Sequence, residues 1–262
     1  MQLQVITEKP ATQTHATPIL FVHGMWHGAW CWAEHFLPYF AQHGYEAHAL
    51  NLRGHGDSEG RDRLRWTPLK DYVADVAQVA GQMERHPILI GHSMGGMITQ
   101  KYLESHQAPA AVLLASGPPK GLIPATLRVA RSQFGSFLKA NMTLSLYHVV
   151  GTPQLYKQAY FSGDFPEQEV AAYHQCVQDE SYRAYVDMML LNLPRPKKVN
   201  TPMLVLGTDA DYILAPAEVE ATARAYNAQV DLFPKMGHAM MLDTGWQAVA
   251  DRILNWLTEQ RL

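Results

Sequence analysis

The chain has 262 residues, 47% of them apolar and 17% charged, which suits one sizeable α/β core. A net charge of -3 argues against a nucleic-acid partner, which would call for a basic surface. Only two cysteines occur, Cys31 and Cys176, which excludes a disulfide framework, and no run approaches the ~18 apolar residues of a transmembrane helix.

The first 17 residues lack a basic start followed by an apolar run, so no leader is expected and a cytoplasmic location is the default. Gln2 to Thr7 alternates and reads as an antiparallel edge strand. Four short apolar runs follow: Pro18 to Val22, Pro87 to Ile90, Ala110 to Ala115 and Pro202 to Leu206. Runs of this kind suit strands buried on both faces of a parallel sheet. Tyr45 to Leu52 and Val230 to Phe233 read as further, more polar strands.

Helices fall between them. Thr67 to Gln82 carries Leu69, Tyr72, Val73, Val76, Val79 and Ala80 at helical spacing, with Thr67 as its expected cap and Pro68 as its first residue. Met94 to Ser105 follows the second apolar run directly. Trp246, Val249, Ile253, Leu254 and Leu257 mark a last helix, with Asp243 or Thr244 as its cap. Alternating strands and helices imply a mostly parallel sheet covered on both faces. Residues 120–199 break the rhythm and hold no convincing strand. They read as a helical cap inserted into a core formed by 1–119 and 200–262.

Gly91-His92-Ser93-Met94-Gly95 is a G-x-S-x-G pattern, which chance alone supplies in about one chain in a dozen of this length. Its context is more telling: a buried strand leads in and a helix leads out. That turn throws the serine out at the end of the sheet, and only small residues, Gly91 and Gly95, fit its flanks. Serine is a poor nucleophile without a base. His238, after the last strand and before the last helix, reaches the same end. An acid must fix the tautomer of that histidine. Asp209 and Asp211 both follow the strand that starts at Pro202, and the order Ser93, Asp211, His238 favours Asp211. Asp231 and Asp243 read as surface or capping groups. The oxyanion needs backbone N–H donors. Met94, next to the nucleophile, and Met25, after Gly24, are the two expected. His23 and His27 have metal-like spacing, but no H-E-x-x-H accompanies them, so no metal is expected. Arg53 reads as a loop brace.

His23-Gly24, Leu52-Arg53-Gly54-His55-Gly56-Asp57-Ser58, Gly91 to Gly96 and Gly237-His238 together resemble the α/β-hydrolase superfamily, over about two-thirds of the chain. His23 to Trp32 is similar to the branch of plant methylesterases and hydroxynitrile lyases, as well as to small bacterial esterases and lysophospholipases. The resemblance implies an eight-stranded sheet, no cofactor, and the second aspartate of Thr208 to Ile213 as the acid, which is Asp211. Hydroxynitrile lyases of that branch carry a lysine directly after the histidine. Here Ala239 stands there, which favours ester hydrolysis.

Residues 105–163 contain no Asp or Glu but do contain Lys120, Arg128, Arg131, Lys139 and Lys157; acids return at Asp164, Glu167, Glu169, Asp179 and Glu180. The two halves either pair with each other or with the core, or the basic half faces an anionic group or a lipid surface, in transient contact. Trp26, Tyr147 and Met188 are candidate pocket residues. The expected activity is cleavage of small to medium apolar esters or monoacyl lipids through an acyl-enzyme. A carbon–carbon bond hydrolase, a ligand receptor with negligible turnover and a cofactor-free perhydrolase are the rivals.

Overall fold

A computed structural model describes residues 1–262. Seven strands form one sheet: β1 (Val5–Glu8), β2 (Ile19–Val22), β3 (Ala47–Leu50), β4 (Ile88–His92), β5 (Ala111–Leu114), β6 (Met203–Thr208) and β7 (Gln229–Phe233), in the spatial order β1-β3-β2-β4-β5-β6-β7. Only β1 runs antiparallel; every other pairing is parallel. The four apolar runs are the four central strands, and every residue of β2, β4, β5 and β6 is buried. The count corrects the eight strands that the resemblance implied. The N-terminal segment supplies a single edge strand, and beyond it Thr14 and His15 donate to the Gly44 carbonyl instead of to a ladder.

Helices α1 (Trp30–Ala33), α2 (Phe36–Gln42), α3 (Leu69–Ala80) and α4 (Met94–Tyr102) lie before β5; α10 (Pro216–Tyr226) and α11 (Trp246–Glu259) lie after β6. Between β5 and β6 the chain forms no strand. It forms α5 (Ile123–Ser132), α6 (Phe134–Thr143), α7 (Pro153–Tyr160), α8 (Glu167–His174) and α9 (Tyr182–Val186), joined by short 3-10 and π turns.

Two expected caps are made differently. Helix α3 starts at Leu69, with extended Pro68 before it, and the Leu69 amide donates to the carboxylate of Asp187 in the insert. Thr67 turns its hydroxyl to the Arg63 carbonyl instead. Helix α11 starts at Trp246 after Gly245. The Asp243 carboxylate is buried and points inward, so this residue is neither a surface group nor a side-chain cap.

Candidate active site

Ser93, Asp211, His238 and Met25 follow β4, β6, β7 and β2 respectively, so all four lie beyond the carboxyl ends of parallel strands. Ser93 sits at φ 51°, a left-handed conformation that is strained for a residue with a Cβ. Its neighbours hold it there: the Ser93 amide donates to Leu114, and its carbonyl accepts from Gly96, Met97 and Gly117. The flanking glycines are required by close approach. A Cβ on Gly95 would lie 2.1 Å from the Val22 carbonyl oxygen, and one on Gly91 would lie 2.5 Å from that of Gly95. Backbone cannot yield cheaply there, so Gly95→Ala should cost more than about 3 kcal/mol and lower Tm by roughly 6–12 °C. Gly135, in α6, has nothing within 4 Å of its Cβ position, and Gly135→Ala should stabilise by about 0.5–1 kcal/mol. Equal Tm values for the two variants would refute this account of the turn.

His238 is fully buried. Its Nδ1 donates to Asp211 Oδ2 at 2.6 Å, and its Nε2 is buried without any partner. Asp211 is itself oriented, because its other oxygen accepts from the amides of Ile213 (2.7 Å) and Leu214 (2.9 Å). Asp209 is turned elsewhere, accepting from the Lys235 amide at 2.8 Å. His92 fixes the other side of His238, its Nε2–H donating to the His238 carbonyl at 2.9 Å. Burial, reinforced by the neighbouring histidines, pushes the His92 pKa well below its usual value, so the ring is neutral there.

The Met25 and Met94 amides are buried and donate to no acceptor in the protein. Between them lies Gly24, where a Cβ would sit 3.0 Å from that of Ser93. His27 braces this loop. Its Nδ1–H donates to the Met25 carbonyl, and its Nε2 accepts from the Tyr156 hydroxyl at 2.7 Å. Burial lowers its pKa to about 4 and that of His23 to about 3, so both rings stay neutral in ordinary buffers. His23 bonds the Gly24 carbonyl and accepts from the Leu52 amide. The pair of histidines is thus committed to backbone and to Tyr156, and no cluster of three metal-ligating side chains exists.

A cleft opens at Ser93, and 16 of its 21 lining residues are apolar. Such a lining suits an apolar small-molecule ligand. Met25, Trp26 and Met94 border the serine, and α5 and α6 of the insert form the far wall. Trp26 is one of the lining residues. Tyr147 and Met188 do not line the cleft: the Tyr147 ring lies beside His174, and Met188 is fully buried with its carbonyl taken by Leu122.

The sequence reading missed the part played by α7. The Tyr160 hydroxyl donates to the Met25 carbonyl at 3.1 Å, and the Tyr160 carbonyl accepts from the Ala239 amide at 2.8 Å. Just beyond, Ser162 donates twice to Asp243, which also accepts from the Gly237 amide. One short stretch of the insert thus holds both the Met25 loop and the His238 loop. The only sequence signal was a cluster of aromatics that reads equally as packing.

The profile of the Alpha/beta hydrolase family matches residues 19–252. The chain belongs to that family. Among curated proteins it is similar to a pyrethroid hydrolase of Sphingobium wenxiniae (30% identity; 37% of this chain, 34% of that one) and to a monoacylglycerol lipase of Mycolicibacterium smegmatis (32%; 37% and 38%). It is also similar to the probable esterase PIR7A of Oryza sativa (36%; 38% and 39%). The chain thus spans between a third and two-fifths of the length of these relatives. Solved structures share the fold along nearly all of both chains. The bromoperoxidase of Bacillus anthracis superposes with TM-score 0.76 at 18% identity (98% of this chain, 96% of that one). The esterase of Exiguobacterium antarcticum does so with TM-score 0.75 at 17% (98% and 95%). Relatives of this α/β hydrolase thus include proteins named as an esterase and a lipase. No helix is long and apolar enough to cross a membrane.

Proposed function

We propose that the protein hydrolyses carboxylic esters of small to medium apolar acids through an acyl-enzyme, with Ser93 as nucleophile, His238 as base and Asp211 as its orienting acid. The observation that carries this reading is the unpartnered, buried Nε2 of His238, whose other nitrogen is committed to Asp211. A neutral imidazole with Nδ1 protonated has only Nε2 free to take a proton. Ser93 Oγ attacks the ester carbon as its proton passes to Nε2. The oxyanion is met by the free amides of Met25 and Met94. Collapse expels the alcohol, which takes the proton from His238, and water then repeats the sequence on the acyl group. Ala239 follows His238 where hydroxynitrile lyases of the similar branch carry a lysine, so the cation that would favour cyanohydrin cleavage is missing from that position. Residues 120–199 act as the cap that encloses the acyl chain.

Relatives named as an esterase, a pyrethroid hydrolase and a lipase support the same class. The apolar cleft sets the substrate preference. Each methylene buried in it contributes about 0.8 kcal/mol, close to a fourfold gain. Along p-nitrophenyl esters of increasing acyl length, kcat/KM should therefore rise about three- to fourfold per methylene until the cleft is filled. A flat or falling series from acetate onward would refute an acyl pocket. Turnover of ring-fission diketones in preference to every ester would install the carbon–carbon hydrolase instead.

A further inference from the structure

The two helices that wall the cleft have a second side. On α5, Ile123, Leu127 and Arg131 recur every four residues and are exposed; on α6, Phe134, Leu138 and Met142 do the same. The opposite stripes of these helices, such as Val129 and Phe137, line the cleft, so the exposed stripes face away from it. Phe134 is 67% exposed and Met142 77%. Exposed Leu190 and Leu191 adjoin the start of α5, where the Leu122 amide bonds the Met188 carbonyl. Soluble monomers rarely leave apolar surface of this extent uncovered.

The charges carried by α5 and α6 themselves are of one sign. Arg128 is paired with Glu218 of α10 and Lys157 with Glu167, which resolves part of the basic half as internal pairing. Lys120, Arg131 and Lys139 make no ion pair, and no acid lies between residues 105 and 163. Arg131 ends the stripe on α5 and Lys139 lies beside the one on α6, both exposed.

We infer that the outer face of α5 and α6 docks on a lipid bilayer bearing anionic headgroups, with Phe134, Leu138 and Met142 entering the interface and Arg131 and Lys139 meeting the headgroups. An apolar face ringed by unpaired cations is complementary to such a surface. A second copy of the chain is a poor occupant. A two-fold contact sets the same patch against itself, which would put these cations against their own kind with no acid to answer them. The inference does not depend on the hydrolytic reading.

Co-sedimentation with vesicles tests it. The wild type should pellet with vesicles of phosphatidylcholine containing about a third phosphatidylglycerol, and less with phosphatidylcholine alone. Ser93→Ala should pellet equally, which separates docking from catalysis. Leu138→Asp with Met142→Asp should abolish pelleting. Arg131→Gln and Lys139→Gln should each weaken it about fivefold. All three surface variants should keep the wild-type rate on a soluble short-chain ester. The inference is overturned if the wild type stays in the supernatant with anionic vesicles, or if the aspartate variant pellets as well as the wild type. It is equally overturned if the wild type forms a dimer that the aspartate variant dissolves.

Discussion

Ser93→Ala should lower kcat for ester hydrolysis by roughly 10⁴- to 10⁶-fold and leave Tm nearly unchanged. The loss is large because the hydroxyl is the only group at the turn that can form the acyl bond. What remains is the apolar cleft and two free amides, which polarise a carbonyl but cannot open it. The fold should be indifferent, because alanine keeps the Cβ and therefore the same strain at φ 51°. A fluorophosphonate probe separates the two consequences: the wild type should be labelled once, and the variant not at all, while both melt together. A variant retaining a tenth of the wild-type rate would remove Ser93 from the chemistry and, with it, the acyl-enzyme route.

Glu180→Ala should cost about 3 kcal/mol of stability or more, because several buried donors, each costing about 1–3 kcal/mol when left unsatisfied, would lose their acceptor. Glu180 is buried and belongs to the insert, and its carboxylate faces His55 Nε2 at 3.0 Å. It also accepts from the Tyr72 hydroxyl at 2.8 Å and the Ser181 amide at 2.6 Å. Alanine would leave buried donors on three different segments without an acceptor. Burial alone would raise the Glu180 pKa, but the facing His55, its hydrogen bond, and those from Ser181 and Tyr72 hold it below 4.5. A depressed carboxylate stabilises the fold fully above its unfolded pKa. That contribution fades as pH falls through the lower, folded value. The wild type should therefore lose stability in acid below about pH 4.5, and the variant should show a shallower acid slope. Urea unfolding at neutral and acid pH measures both. Parallel pH slopes would mean that Glu180 is not held as a carboxylate.

What the sequence made legible follows from the range of the interactions. All seven strands could be read because apolar runs and alternation are local patterns. The nucleophile turn could be read because its strain needs glycine within two residues on either side. The choice between Asp209 and Asp211 rested on chain order and resemblance, and only the two amides at Ile213 and Leu214 give it a physical cause. The roles of Asp187, Glu180 and Asp243 could not be read, because each serves donors scores of residues away, or on a facing loop, that no spacing encodes. The pocket was half legible for a related reason. Tyr147 and Met188 belong to short turns of the insert, where apolar residues point in several directions and no period tells which side meets the cleft.

The unequal fastening of the insert bears on how the cleft can open. Its α7 end is tied to both loops of the site through Tyr156, Tyr160 and Ser162. A swing of the whole insert would carry the Met25 amide and the His238 loop with it and dismantle the site at the moment of entry. The α5–α6 end is held to the core mainly by Arg128, on Glu218 and the Ile213 carbonyl, and by Tyr212 on Ser132. A widening of the cleft that left the Met25 and His238 loops in register would have to begin at the α5–α6 end, by breaking the Arg128 contacts.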